Sequence, residues 1–179
     1  MDVTAPPAQS LVRTATVAED TAFERIVGPL LHPGYDLAWA VLRDRQAAED
    51  AVQEAAVSAW RAFSTLRDEG RARSWFLKIV LNQCRATMRT RWWRSRLLAD
   101  RAEGHVAAHD AGADLRVDLE RALRALSRDQ RAVLFLAYQM DLPQDEIARV
   151  LGVRVGTVKS RMHRAVARLR SALPAEDVP

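Results

Sequence analysis

The sequence predicts an all-α protein made of two small helical domains joined by a flexible linker, the C-terminal domain being a helix-turn-helix. Two observations support this prediction. Apolar residues recur at three- and four-residue spacing over most of the 179 residues, without the alternation that is typical of strands. This periodicity fades near residue 96 and returns near residue 115, which divides the chain into two helical blocks.

The boundaries of these blocks follow from composition. The chain begins with a proline- and threonine-rich stretch, and a stretch with two glycines and scattered charge separates the blocks. Neither composition suits a packed helix. The predicted organisation is a disordered N-terminal tail over 1–17, a first domain over 18–96, a linker over 97–114, a second domain over 115–173 and a C-terminal tail over 174–179.

Local signals place the helices of the first domain. Pro33 and Gly34 should break the first apolar-periodic run, so the helix that follows is expected to begin only at about Tyr35. Asp44 is a plausible N-cap for the next helix, because its side chain can accept a hydrogen bond from a free backbone N–H. After a charged loop, a long helix is expected from about Ser74.

The second domain has clearer signals for where its helices begin and end. Ser127 is a good N-cap, Pro143 opens a short helix and Gly152 closes it. A final helix should begin near Gly156 and end before Pro174. Two helices joined by a tight glycine-containing turn form a helix-turn-helix unit.

Charge is unevenly distributed along the chain. The net charge is only +4, yet the segment VRVGTVKSRMHRAVARLR contains six basic residues and no acidic one. A solvated helix face usually mixes signs, because opposite charges one turn apart support the helix. The missing acids indicate that a nucleic acid supplies the negative charge.

Periodicity gives the final helix two faces. Its apolar stripe should dock on neighbouring helices and comprises Val158, Met162, Ala165 and Leu169. The opposite face fits the DNA major groove, where Arg and Lys donate to base edges, while free N–H groups at Gly156 and Thr157 can bind a phosphate. The residues expected on that face are Lys159, Ser160, His163 and Arg164.

The first domain shows a division of charge of its own. From Arg71 to Arg96 there are eight basic residues and no acidic one. Asn82, Arg85 and Arg89 recur at helical spacing and form a candidate nucleic-acid face. Trp75 could stack on a base, although a core position is the alternative that its setting favours.

The preceding helix is acidic on its exposed side, where Glu49, Asp50, Gln53 and Glu54 lie. An acidic helix cannot bind DNA directly. A protein partner is therefore the functional interpretation, and a plain solvated face is the alternative.

The segments AEDAVQEAAVSAW, WFLKIVLNQCR and LPQDEIARVLGVRVGTVKSRMHRAVARLR resemble the extracytoplasmic-function (ECF) group of bacterial sigma factors, from about Phe23 to Leu173. The resemblance implies that the first domain is sigma region 2 and the second is sigma region 4. It also implies core RNA polymerase and promoter DNA as partners, and an anti-sigma factor that occludes the binding faces.

The resemblance assigns roles to residues in three groups. Docking on core RNA polymerase is expected of Asp50, Gln53 and Glu54. Binding of the minus-ten element, with a base flipped from the non-template strand, is expected of Trp75, Asn82, Arg85 and Arg89. Binding of the minus-thirty-five element is expected of Arg154, Gly156, Thr157, Lys159, Ser160, His163 and Arg164.

Several functional classes are not favoured. No nucleophile–base pair or metal-ligand set stands out, so we expect no catalysis, no cofactor and no small-molecule substrate. Cys84 is expected to be a buried core thiol, and His105 and His109 lack a third ligand. No apolar run approaches the ~20 residues of a membrane span, and no signal peptide is evident, so we expect a cytoplasmic protein without membrane insertion. The alternative function is a helix-turn-helix regulator that does not dock on polymerase.

Overall fold

The computed structural model describes residues 19–98 and 122–172, with side chains described to Thr90 in the first range. Within these ranges every regular element is a helix, which confirms the all-α prediction. Both predicted tails, His105, His109 and most of the predicted linker lie outside the described residues. The last helix of the first domain continues through Leu98, two residues into the segment predicted as linker.

In the described residues, the first domain contains four α-helices. A helix over 19–27 (α1) leads through a 3-10 turn into Leu31–Leu42 (α2), which is followed by Arg45–Arg61 (α3) and Ala72–Leu98 (α4). Each pair among α2, α3 and α4 is in contact. Phe23 anchors α1, because its ring lies edge-on to those of Trp60 and Phe63, with centroids 5.0 and 5.3 Å apart.

The prediction that the second helix begins at about Tyr35 was wrong by a turn, since α2 begins at Leu31. Pro33 lies in the first turn of α2, where backbone N–H groups have no intrahelical partner, so proline removes no hydrogen bond there. Gly34 is buried inside α2, where the side chain of Phe76 on α4 comes close. Gly34, which the sequence predicts to break the helix, is therefore a point where α2 and α4 approach closely.

The predicted cap of α3 is confirmed. The carboxylate of Asp44 accepts the backbone N–H of Ala47 at 2.9 Å. The buried side of α3 is built largely from alanines, including Ala48, Ala51 and Ala55. Small side chains let α3 lie close to α2 and α4, so this helix contributes packing with its backbone as well as its side chains.

The second domain begins in the described residues with a helical stretch over 122–125 (α5). It continues with Arg128–Leu134 (α6), a π-helical turn over Phe135–Gln139, Gln144–Leu151 (α7) and Val155–Ala172 (α8).

The caps of this domain agree with the predictions made for them. Ser127 and Gln130 form a reciprocal capping box at the start of α6. Gly152 ends α7 with a left-handed φ of 68°, which glycine adopts without steric cost.

The two domains pack against each other. Helix α2 contacts α6, and α4 contacts α7. Buried residues of both domains belong to one hydrophobic cluster. Helix α7 contacts α8 as well as α4, and four of its eight residues are buried.

Candidate nucleic-acid interface

Helix α8 separates a buried face from an exposed face as predicted. Val158 and Ala165 are fully buried, and Met162 and Leu169 are partly buried against the core. The residues that the sequence places on the opposite face are all exposed, namely Lys159, Ser160, His163 and Arg164. The exposed face thus presents two cations, a hydroxyl and an imidazole, which suits contacts to base edges and phosphates.

Within the described ranges, the side-chain hydrogen bonds of this face stay within α8. The Nε of Arg164 donates to the carbonyl oxygen of Ser160 at 3.1 Å, and the Ser160 hydroxyl donates to that of Thr157, also at 3.1 Å. Among the described residues, Arg164 and Lys159 form no ion pair with an acidic side chain. Arg164 is therefore aligned along the helix while its charge remains uncompensated by the described part of the chain.

Arg161 differs from its basic neighbours. It donates to the carboxylate of Asp129 on α6 at 2.6 Å, and its side chain is only 21% exposed. The Asp129 carboxylate is 55% exposed, and the pair links α8 to α6 at the edge of their contact. One of the six basic residues in the segment therefore supports the fold, which its position in the sequence does not indicate.

The prediction of free N–H groups at the start of α8 was wrong for Thr157. The backbone N–H of Thr157 is not free, because it donates to the carbonyl oxygen of Arg154 at 2.9 Å. The helix begins at Val155, so the N–H groups that an α-helix leaves unpaired are those of Val155 and Gly156. A Cβ at Gly156 would meet nothing within 4 Å, and Arg154 is exposed, so a phosphate can approach this end.

The acidic side of α3 is exposed at Asp50, Gln53 and Glu54, as predicted. Asp50 accepts a hydrogen bond from Gln46 at 3.0 Å, and Glu49 is partly buried and paired with Arg45 at 3.1 Å. Asp50 and Glu54 form no ion pair within the described part of the chain.

Apolar surface continues the same side of α3, since Val57 is 45% exposed one turn beyond Gln53. An acidic stripe that ends in an exposed apolar residue is a surface that a protein partner can bind. Sequence reasoning did not single out Val57.

On α4, the four residues proposed by resemblance do not form one open surface. Asn82 and Arg89 are exposed, whereas Trp75 is partly buried and packs against the core. The packing of Trp75 favours the core alternative that the sequence left open. Arg85 donates to the Asn82 side chain at 3.4 Å and to the carbonyl oxygen of Leu151 in the second domain at 2.8 Å.

Arg131 makes hydrogen bonds between the two domains that the sequence did not predict. From α6 its guanidinium donates to the carbonyl oxygens of Ala40 at 2.6 Å and Val41 at 3.1 Å, at the end of α2, and to that of Leu126 at 2.6 Å. Burial lowers the pKa of Arg131 below its ordinary value, and the positive charge of Arg43 lowers it further.

Other kinds of site are not evident in the described ranges. No group of three or more His, Cys, Asp or Glu side chains could hold a metal ion there. Cys84 is fully buried, and burial raises the pKa of its thiol to about 12. None of the described helices has the length and apolar character needed to cross a membrane.

Comparison with known proteins identifies both domains. The family described as Sigma-70 region 2 matches residues 28–94, and Sigma-70, region 4 matches residues 116–169. The RNA polymerase sigma-E factor of Streptomyces coelicolor is 33% identical over 137 residues, which are 73% of this chain and 74% of that protein. The ECF RNA polymerase sigma factor SigM of Mycobacterium tuberculosis is 33% identical over 147 residues, which are 76% of this chain and 69% of that protein.

Two solved structures are similar over both domains. The sigma factor RpoE of Bartonella quintana, in complex with the anti-sigma factor NepR, superposes with a TM-score of 0.75 at 27% identity, covering 87% of this chain and 98% of RpoE. CnrH, in complex with the cytosolic domain of CnrY, gives a TM-score of 0.61 at 29% identity, covering 89% of this chain and 91% of CnrH. The chain therefore belongs to the ECF group of sigma-70 RNA polymerase sigma factors.

Proposed function

We propose that this protein binds core RNA polymerase, directs it to specific promoters and helps to open promoter DNA. The observation that carries the proposal is the pairing of two surfaces in one chain. Among the described residues, Lys159 and Arg164 on α8 are exposed cations without an acidic partner, and Asp50 and Glu54 on α3 are exposed carboxylates without a basic partner, which a nucleic acid would repel. A regulator that acts without polymerase has no use for the second surface.

The polymerase-binding surface in this proposal comprises Asp50, Gln53 and Glu54. Their exposure on one side of α3 supports the assignment, as does the lack of a cation paired with Asp50 or Glu54 among the described residues. A basic surface on the polymerase would complete the charge. The chain itself performs no chemistry, since the polymerase joins the nucleotides.

The minus-ten element would be bound by α4. Exposed Asn82 and Arg89 can reach a strand directly, and Arg85 can do so once it leaves Leu151. Trp75 would support this face from the core side rather than stack on a base. The cations on this side of α4 can bind the phosphates of a single DNA strand. The second domain is proposed to read duplex DNA, so the strand bound by α4 would be one that has separated from the duplex.

The minus-thirty-five element would be read by α8. We assign Arg154 and the first N–H groups of α8, including that of Gly156, to the phosphates. Thr157 would hold the turn at the start of α8 in place through the hydrogen bond from its N–H to the carbonyl oxygen of Arg154. The groups that would face bases and adjoining backbone are Lys159, Ser160, His163 and Arg164.

We further propose that region 2 extends over 18–96 and region 4 over 115–173, with 97–114 as the linker. The sigma factor RpoE, which is similar over both domains, is held by the anti-sigma factor NepR. An anti-sigma factor is accordingly the proposed regulator of this chain, and the cytoplasm, where bacterial polymerase meets the chromosome, is the proposed location.

Charge reversal on α3 tests the proposal. Asp50→Arg should abolish co-elution with purified core polymerase and run-off transcription from a genomic fragment library. Glu24→Arg is the matched control, because Glu24 is an exposed acid on α1, outside the proposed surface. Unchanged co-elution of Asp50→Arg would exclude the docking assignment. Specific duplex binding by the isolated chain, with no added transcription when it is supplied to polymerase, would favour the regulator instead.

A further inference from the structure

The two domains are joined by a reciprocal pair of arginine contacts. Arg131 of the second domain donates to the carbonyl oxygens of Ala40 and Val41, in the last turn of α2, at 2.6 and 3.1 Å. Arg85 of the first domain donates to the carbonyl oxygen of Leu151, the last residue of α7, at 2.8 Å. Each domain thus supplies a cation to a helix C-terminus of the other.

A helix C-terminus is a favourable place for such a contact. The carbonyl oxygens of the last turn have no intrahelical N–H partner, and the helix dipole places partial negative charge there. A guanidinium satisfies both the hydrogen bond and the charge, and its planar fork can reach two carbonyls at once, as that of Arg131 does. Both arginines are partly buried, so water competes weakly for these carbonyls.

The contact of Arg85 excludes another use of the same side chain. Arg85 lies on the α4 face that we propose for the minus-ten element, and its guanidinium is held by Leu151 while α7 packs on α4. A DNA strand that binds the Arg85 guanidinium must displace it from the carbonyl oxygen of Leu151. Closure of the two domains and occupation of Arg85 by DNA are therefore competing states.

We propose that Arg85 and Arg131 form an interdomain latch that holds the free protein closed and withholds Arg85 from nucleic acid until the domains separate. The link to promoter DNA rests on the proposed function, whereas the latch itself is a property of the free chain. Arg131 lies outside the proposed polymerase and DNA surfaces, so its replacement opens the latch without altering either surface.

The distance between the domains tests the latch directly. Spin labels on Glu24→Cys and Arg168→Cys report the separation of α1 and α8 in the full chain, and the buried Cys84 does not compete for label. We expect a single narrow distribution of distances in the parent protein. Arg131→Met, which removes the cation and keeps the bulk, should shift the population toward longer distances, raising the open fraction about tenfold.

Three further variants make the result decisive. Arg128→Met removes an exposed charge from the same helix, and no interdomain hydrogen bond of Arg128 is seen in the described part of the chain, so its distances should match the parent. Arg131→Lys keeps the charge but lacks the fork and should give an intermediate open fraction. If Arg131→Met does not fold by circular dichroism, Arg85→Met must show the same opening. Parent-like distances in the folded variant would overturn the latch.

A second measurement connects the latch to DNA. Arg131→Met should bind a single-stranded oligonucleotide more tightly than the parent does, because Arg85 is released, while Arg128→Met should not. Opening without tighter binding would retain the latch and contradict the role proposed for Arg85. Failure of transcription with normal opening would contradict the proposed function alone.

Discussion

Replacing Gly34 with alanine should destabilise the protein, although alanine is the better helix former. A Cβ at this position would lie 2.9 Å from Cε1 of Phe76 and 3.2 Å from Cγ2 of Val80. Helix propensity favours alanine over glycine by about 1 kcal/mol, whereas overpacking a filled core costs about 1–3 kcal/mol. Phe76 and Val80 are both fully buried, so the cost should fall in the upper half of that range.

The expected net loss in the free energy of unfolding is about 1–2 kcal/mol, which lowers Tm by roughly 2–8 °C in a protein of this size. Thermal and urea denaturation followed by circular dichroism would measure it. Gly28→Ala is the matched control, because a Cβ there meets nothing within 4 Å, and it should leave Tm unchanged or slightly raised. If Gly34→Ala is as stable as the parent, the close approach of α2 to α4 does not limit the helix packing.

Two further predictions concern single side chains. Arg164→Ala should weaken binding of the full chain with polymerase to its promoter by about 1–3 kcal/mol if the side chain reads a base. An equal loss on all sequences, with a shallower salt dependence, would make it a phosphate contact. The Cys84 thiol, with a pKa of about 12, should resist thiol reagents at pH 8 unless the protein is denatured. Because this pKa is raised above the unfolded value, the stability due to the buried thiol is complete below that value and is lost as pH rises toward 12. Rapid labelling of the native protein at pH 8 would contradict the burial of Cys84.

The parts of the fold that follow local rules were predictable. The cap at Ser127, the closing glycine at Gly152 and the buried stripe that begins at Val158 each depend on residues within a few positions along the chain. Hydrogen bonds to a helix terminus and the period of an α-helix are properties of the sequence neighbourhood. The exposed faces of α3 and α8 followed for the same reason.

Features that depend on distant residues were not predictable. Arg131 bonds to carbonyl groups some 90 residues earlier in the chain, and Arg85 to one 66 residues later. Any exposed helix C-terminus accepts a cation, so periodicity cannot say which arginine will supply it. The prediction that Gly34 breaks a helix was wrong for the same reason, because the role of Gly34 is set by Phe76 on another helix and not by the helix propensity of glycine.

The charge pattern that first indicated a nucleic acid needs to be read with the fold. A basic helix that contains no acidic residue can still pair with an acidic residue of another helix. On α8, Arg161 pairs with Asp129 of α6. The inference nevertheless holds for Lys159 and Arg164, which are exposed on the face opposite the buried stripe and pair with no acid among the described residues. What distinguishes a binding cation from a structural one on α8 is therefore the direction of its side chain relative to the buried stripe, and not its place in a run of basic residues. The same criterion applies on α4, where Arg89 is exposed and Arg85 is engaged by Leu151.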